Sequence, residues 1–442
     1  MKELRDMFLG RALWTGIVIV LFLTGYSFIQ ALTLYSEVSR SALKLPELAR
    51  GLSPLDGIFV PTFGALYLAA TFLYPFVVIR MVGAEKQSGA LKMLIQLPYP
   101  MPVLIAAKLT AGVAAWMFML LPCMSALCFW WAVGGHISAF EVTNLILGHF
   151  LYAMVIAGIS LVAASVSEDT ASAAIATLGV TIGFWVLDFA SAGDDGLLRS
   201  LSELSLTSVL RTFERGVFSL GTAVSSLLAV LCFTTLTGIW IHPGRSALYR
   251  WGRTTVVIIM AAIAITAAAQ VKLFCDATEE RRNSFSVTDE VMLSSMREQL
   301  YIGVHLTPED PRLYDLQRSI LDKLKMIMQN VKIAFADVGM NRALTGSGDQ
   351  YGQIVYRYNG REAMSRSTSE KEVLPLIFEI AGLKRPIAEE TDTYSGYPLI
   401  VDTRWAKLWF YVLLPLAVLF FWYRTHCGTG IIRKNITKGE IL

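Results

Sequence analysis

Apolar residues in this chain run in long unbroken stretches instead of the short alternations of a soluble fold. A bilayer core about 30 Å thick takes about 20 apolar residues as a helix. Eight segments meet that length: 12–35, 58–79, 103–133, 143–166, 172–191, 219–241, 254–274 and 405–423. The first is expected to be an anchor and not a cleaved leader. Its run from Ala12 to Tyr35 exceeds the apolar stretch of a signal peptide, and no small-x-small cleavage site follows. Ahead of it, residues 1–11 alternate charge with Leu4, Met7, Phe8 and Leu9, which predicts a short amphipathic helix on the membrane face.

The pattern changes between Asp276 and Arg404. Leu300, Ile302, Val304 and Leu306 alternate with Tyr301, Gly303 and His305, as a half-buried strand does. Pro308 and Pro311 break that strand, and Leu313, Leu316, Ile320, Leu324 and Ile327 then share one face of a helix. Val331, Ile333 and Phe335 predict a second strand. A Gly/Ser-rich loop, 339–352, leads to a third at Ile354, Tyr356 and Tyr358, and a helix follows over 369–381. Strand–helix–strand order implies an α/β sandwich with a partly parallel sheet. The fold class is therefore a predominantly α-helical polytopic membrane protein, with about eight transmembrane helices and one α/β extracytoplasmic domain.

Composition supports lipid as the main solvent. Hydrophobic residues make up 54% and charged residues 17% of the 442, against about 25% charge in soluble domains; mean hydropathy is +0.53. This excludes a disordered tail protein and most cytosolic enzymes. A net charge of +3 is too small to imply a polyanion, so no nucleic-acid partner is expected. Orientation follows from Lys and Arg near the span ends. With the N-terminus inside, the inner segments hold Lys2, Arg5, Arg11, Arg80, Lys86, Lys92, Arg245, Arg250, Arg253, Arg424, Arg433, Lys434 and Lys438; the short outer loops hold Arg40, Lys44, Arg50, Arg199, Arg211 and Arg215. That excess places both termini in the cytoplasm and 276–404 outside. The turn at 167–171 has no basic residue, but Glu168 and Asp169 mark it as facing water.

Catalytic chemistry is hard to find. His305 is the sole histidine of the outer domain and Cys275 its sole cysteine, at the membrane edge, so a metal set is not supplied. The acidic pairs Glu279–Glu280 and Asp289–Glu290 read as solvated surface charge. Gly346-Ser347-Gly348 and Gly428-Thr429-Gly430 lack the Lys-Ser/Thr of a phosphate loop. Zinc-protease and nucleophile-elbow motifs are absent too. The domain reads as a binding or interaction module.

The inner connection at 81–97 is the most informative stretch. Good helix formers run from Glu85 to Gln96, interrupted by Gly89 and stopped by Pro98, Pro100 and Pro102. Leu91, Leu94 and Ile95 share one face, with Glu85 and Lys86 as a charged entry near the positive helix N-terminus. The prediction is a short amphipathic helix, either lying in lipid or seated in a soluble motor. Glu85, Gly89, Leu91, Leu94 and Pro98 form Glu-x-x-x-Gly-x-Leu-x-x-Leu with a following Pro. That order resembles the cytoplasmic coupling loop of type-2 ABC exporter permeases, with Ala90 where the family more often has Thr.

The resemblance covers residues 1–241: an N-terminal interfacial helix, six spans, and a long loop, 192–218, between spans five and six. Residues 242–275 add a cytoplasmic loop and span seven, and 405–442 add span eight and a cytoplasmic tail. The domain 276–404 between them resembles the auxiliary component of gliding-motility-type ABC systems. That match lies in Ser286-Val287-Thr288-Asp289-Glu290-Val291, strand 300–306, helix 312–328 and strand 331–337. The resemblance implies a permease in a bacterial cytoplasmic membrane, paired as a homodimer or heterodimer, with a periplasmic or extracellular domain for substrate or an envelope partner. It implies no cofactor in this chain; ATP and Mg would belong to a separate ABC ATPase. Glu85, Lys86, Gly89, Leu91 and Leu94, with Glu168 and Asp169 of the neighbouring turn, are the implied ATPase-coupling residues. A non-transporting scaffold that passes ATPase-driven movement to an envelope machine is the alternative.

Charge within a span costs at least about 2.5–3.5 kcal/mol, so each instance needs a reason. Lys108 is expected to snorkel to the headgroups. Asp188 lies near the outer end of span five and His149 near that of span four; both are candidates for the translocation path. Gly179 and Gly183, with Ala176, form a small-residue face suited to helix packing, either inside one subunit or at a dimer seam.

Overall fold

A computed structural model describes residues 7–8, 10–45, 49, 51–96, 98–190, 205–242, 244–271, 273–307, 310–328, 330–335, 351–383 and 395–425, without the side chains of 11 and 188–190. Residues 1–6 and 9 of the expected interfacial helix, 192–204 of the 192–218 loop, 339–350 of the 339–352 loop and the tail from 426 lie outside the described residues. Eight helices are long and apolar enough to cross a membrane. They are α1 (Arg11–Ala42), α2 (Leu55–Gln87), α4 (Met101–Ala132), α5 (Ala139–Val166), α6 (Thr170–Ala190), α8 (Leu220–Ile241), α9 (Ala247–Ala269) and α14 (Thr403–Thr425). Two short helices complete this part: α3 (Ala90–Gln96) and α7 (Leu206–Glu214).

Burial sorts the spans. The most apolar windows of α2 and α5 are 67% and 78% buried, whereas those of α9 and α14 are 6% and 11% buried. So α2 and α5 form the centre, and the last two spans lie on the periphery. α14 leans on α1, where Gly25 has no side chain and Phe410 takes the space, 2.7 Å from where a Cβ would stand. α9 leans on α8 in the same way: a Cβ on Gly221 would stand 2.6 Å from the Val271 carbonyl oxygen. Near the other end of that contact Trp240 Nε1 donates to Thr254 Oγ1 at 3.0 Å.

Between α9 and α14 the chain folds a second hydrophobic core. β1 (Val217–Ser219) and β2 (Phe274–Asp276) pair antiparallel, tying the entry of α8 to the start of this unit. After α10 (Val287–Ser295) come β3 (Leu300–Val304), α11 (Pro311–Leu316), α12 (Asp322–Ile327), β4 (Val331–Phe335), β5 (Ile354–Tyr358), β6 (Arg361–Ser365) and α13 (Glu370–Ala381). A one-turn π segment, Gln317–Leu321, joins α11 to α12. The sheet order is β4-β3-β5-β6, with β3 and β4 parallel and the other pairs antiparallel. Register puts Ile302 beside Ile333 and Tyr356, so one sheet face is apolar. Leu316, Ile320, Leu324, Val373 and Ile377 bury against that face. Two elements escape the sequence pattern: β6, which is largely polar, and α10, started by Ser286 accepting from the Asp289 N–H.

Three other differences have physical causes. α1 continues past Tyr35 to Ala42 because its polar last turns are used: Ser39 Oγ accepts from Leu399 N and Ser36 Oγ from Val401 N. That zips the chain leaving the domain onto α1. The expected helix over 85–96 is instead two, because Gly89 sits in the left-handed region at φ +77°, where a side chain is unfavourable. And of the acidic pairs of the domain only Glu280 stands exposed as expected: Asp289 is buried in the first turn of its helix, Glu290 pairs with Arg281 at 2.9 Å, and Glu279 bonds to the bundle.

Leu324 is fully buried in the domain core. Leu324→Ala should cost the domain about 2–5 kcal/mol. Hydrogen exchange should then show lost protection in β3 and α13, with α2 and α5 unaffected.

Candidate functional site

α2 links two clusters of charge. Its 33 residues span about 50 Å at 1.5 Å per residue, and from Gly57 to Ile79 it carries no charged side chain. Asp56 stands at one end; Arg80, Glu85 and Lys86 stand at the other.

At the α3 end, Glu85 and Lys86 occupy the last turn of α2 and not the entry of the next helix. Glu85 turns inward. Lys108 of α4 donates to Glu85 Oε2 at 2.6 Å and to the Met81 carbonyl at 3.2 Å. Its side chain is 1% exposed, so Lys108 does not snorkel: seven residues into α4, it finds a counter-charge at its own depth. Lys86 turns to α5, donating to the carbonyls of Ser165 and Ser167 at 3.1 and 2.5 Å. Those belong to a helix C-terminus whose last carbonyls lack partners and carry partial negative charge. Asp169 caps α6, accepting the Ser172 N–H at 2.8 Å and the Ser172 hydroxyl at 2.8 Å. The hydrogen bonds from Ser172 hold its carboxyl below the ordinary carboxylate range. Gly83 admits the Thr170 methyl to within 2.4 Å of where a Cβ would be. Glu85, Lys86, Glu168 and Asp169 therefore gather where α2, α4, α5 and α6 meet.

From that junction α3 projects as a seven-residue helix. The face expected to meet a partner is turned the other way: Leu91 is buried in the bundle core, Ile95 packs against it, and Leu94 is half-buried. Outward stand Lys92, Met93 and Gln96, with Met93 73% exposed and Tyr99 beyond the helix 69% exposed.

At the opposite end the domain is riveted to the bundle by charge. Arg282 of the domain donates to Glu141 Oε1 at 2.8 Å and approaches Asp56 Oδ2 at 3.5 Å; Arg318 donates to Asp56 at 2.7 Å. Both carboxylates stand in first helical turns, Asp56 in α2 and Glu141 in α5, where the helix dipole favours negative charge. Glu141 is buried and also accepts the Glu279 N–H at 3.0 Å. Glu279 in turn accepts from the Tyr397 hydroxyl at 2.9 Å and lies 2.8 Å from His136 Nε2. The Tyr397 and His136 rings stack 3.8 Å apart. Burial, then the Glu279 carboxylate, pushes the Tyr397 phenol up to about 12, so it stays protonated and donates. The turn that carries this joint is strained, since Glu280 and Arg281 hold φ of 57° and 51°, which costs about 1–2 kcal/mol for each side-chain-bearing residue.

The remaining candidates fall elsewhere. His149 is buried 3.5 Å from Glu214 Oε1 and 5.2 Å from the Phe63 ring centroid, and neither ring nitrogen makes a hydrogen bond. It belongs with α7, which seats on α5 through Asn144 Nδ2 donating to the Phe213 carbonyl at 2.9 Å. Gly179 and Gly183 have nothing within 4 Å of a would-be Cβ, so that face of α6 does not serve packing inside the subunit. The Asp188 side chain lies outside the described residues. Among the residues the sequence left unweighted, Asp56, Glu141, His136, Arg282, Arg318 and Tyr397 build the joint at this opposite end. A charge in the first turn of a span was the available signal for Asp56 and Glu141; the pairing across more than 130 positions had none.

No family model, no curated protein and no solved structure matches this chain.

The Glu85–Lys108 pair can be isolated by a double-mutant cycle. Lys108→Met should destabilise the protein by about 3–5 kcal/mol because it strands a desolvated carboxylate. Adding Glu85→Leu should restore most of the loss in thermal unfolding in detergent. Additive losses would mean the two side chains act separately.

Proposed function

We propose that this chain is the membrane subunit of an ATP-driven exporter of the type-2 ABC kind, worked by a separate ATPase that grips α3 on the cytoplasmic side. The observation that carries this reading is the position of α3. It is a short helix with exposed Lys92, Met93 and Gln96, joined through the Gly89 break to a junction where charges fix α2, α4, α5 and α6 to one another. A push on α3 would move those four helices as a set. In a pair of subunits, their displacement would open a path to one side and close it to the other. The unfilled Ala176–Gly179–Gly183 face of α6 is the surface such a pair would use.

The chain itself would supply no nucleotide chemistry. ATP and Mg would be held by the partner, and the role of this subunit would be to convert rigid-body movement into altered access. Lipid, glycan, peptide and drug-like cargo fit the reading equally.

The outer joint supports a second reading, in which output is mechanical and nothing crosses the membrane. α2 reaches from the α3 junction to Asp56, so the same push would arrive at Arg282 and Arg318 of the domain. Removing 276–404 distinguishes the two. An exporter keeps some flux without the domain, whereas a transmitter keeps ATP hydrolysis and loses all output.

Met93→Asp tests the shared input. It changes an exposed side chain, so the subunit should fold and purify normally. Stimulation of the proposed partner ATPase should fall about tenfold or more, the loss of roughly 1.4 kcal/mol of coupling. Undiminished stimulation would remove α3 from the contact.

A further inference from the structure

An apolar groove opens between α4 and α8 at the α3 end of the bundle. Met101, Ile105 and Leu109 line one wall, and Leu231, Gly238 and Ile239 the other. Its volume of about 490 Å³ lies within the roughly 300–1,000 Å³ of ligand clefts. Gly238 keeps it open, since a Cβ there would stand 3.0 Å from Ile105 Cδ1.

The mouth of this groove is cationic. His242, Arg245 and Arg253 line it. Among the described residues neither arginine has a carboxylate partner; both guanidinium groups lie over the one Tyr249 ring, with Cζ 4.8 and 5.0 Å from its centroid. Arg250 stands beside them, donating to the His242 carbonyl at 3.0 Å, while its buried Nε–H has no acceptor. Three positive charges thus crowd the nine residues 245–253 with no anion among the described residues to offset them. Such a cluster is costly unless a negative group joins it.

The surroundings indicate which kind of anion. Trp251 is 60% exposed and stacks edge-on against Trp240 at 5.2 Å, and Tyr249 is exposed beside it. Aromatic side chains of this sort mark the level of lipid headgroups. α9, which carries Arg250 and Arg253 with Arg245 just ahead of it, shows its outer face almost entirely bare. An apolar slot with a basic mouth between spans, at headgroup depth, has the shape and charge of a phospholipid site.

We propose that this groove binds an anionic phospholipid, one acyl chain lying between α4 and α8 and the phosphate held by Arg245 and Arg253. The site needs only that the long apolar helices stand in a bilayer, and it is independent of any ATPase. Bound there, the lipid would pin the lightly packed α9 to the bundle.

Native mass spectrometry of the full chain, released from detergent containing phosphatidylglycerol or phosphatidylcholine, tests this. The wild type should retain one phosphatidylglycerol with a preference of roughly tenfold or more over phosphatidylcholine. Arg245→Gln with Arg253→Gln should abolish the preference. Gly238→Leu, which fills the slot and removes no charge, should abolish retention of either lipid. Equal retention of the two lipids by the wild type, or a preference that survives the double variant, would overturn the site. So would displacement of the lipid by inorganic phosphate, which would assign the arginines to a free anion, and so would undiminished retention in Gly238→Leu.

Discussion

A charged side chain in the low-dielectric interior of a bundle persists only where a partner meets it at the same depth. α2 obeys that constraint along its whole length. Its middle is neutral, its α3 end is held by Lys108 and the α5 carbonyls, and its opposite end by Arg282 and Arg318. These contacts are directional and short-ranged, so neither end can slide or rotate without breaking one. The helix that results is central, two-thirds buried, and pinned at both ends to elements that are not its neighbours in sequence.

That arrangement explains the peripheral spans. α9 and α14 add little to the core, yet the domain between them is held by more than its two tethers. The exit chain lies along α1 through Ser36 and Ser39, the entry strand pairs with β1, and Arg215 reaches Asp322 at 2.5 Å. Docking on α2 through the half-buried Asp56 and on α5 through the buried Glu141 makes the domain part of the same rigid frame. The strained turn at Glu280–Arg281 holds the backbone in the left-handed region, and it lies at the centre of the joint.

Much of this architecture was legible in the chain because burial in lipid leaves a long-range record: eight apolar runs gave eight long helices. Strands β3, β4 and β5 were legible from alternation, but β6 was not, because Arg361 and Glu362 face water. The inner connection was legible as a short helix bounded by proline. Its facing was not. Leu91 and Ile95 satisfy an amphipathic pattern equally well against lipid, a partner or the bundle, and the bundle took them. Lys108 shows the same limit. Its depth was readable, but Glu85 lies 23 positions earlier on another helix, and a sequence pattern does not carry that distance. The outer joint depends on pairs such as Glu141 with Arg282, whose meeting follows from the folded domain alone.

The central claim is that a load on α3 reaches the outer joint through α2. Hydrogen exchange of the purified subunit, with and without the ATPase proposed to grip α3, locked by a non-hydrolysable nucleotide, tests it most directly. Amides at 279–284 and 397–401 should change their exchange when that ATPase is added, although the proposed contact lies at the far end of the bundle. Unchanged exchange at both segments, with protection appearing in α3 alone, would contradict the account.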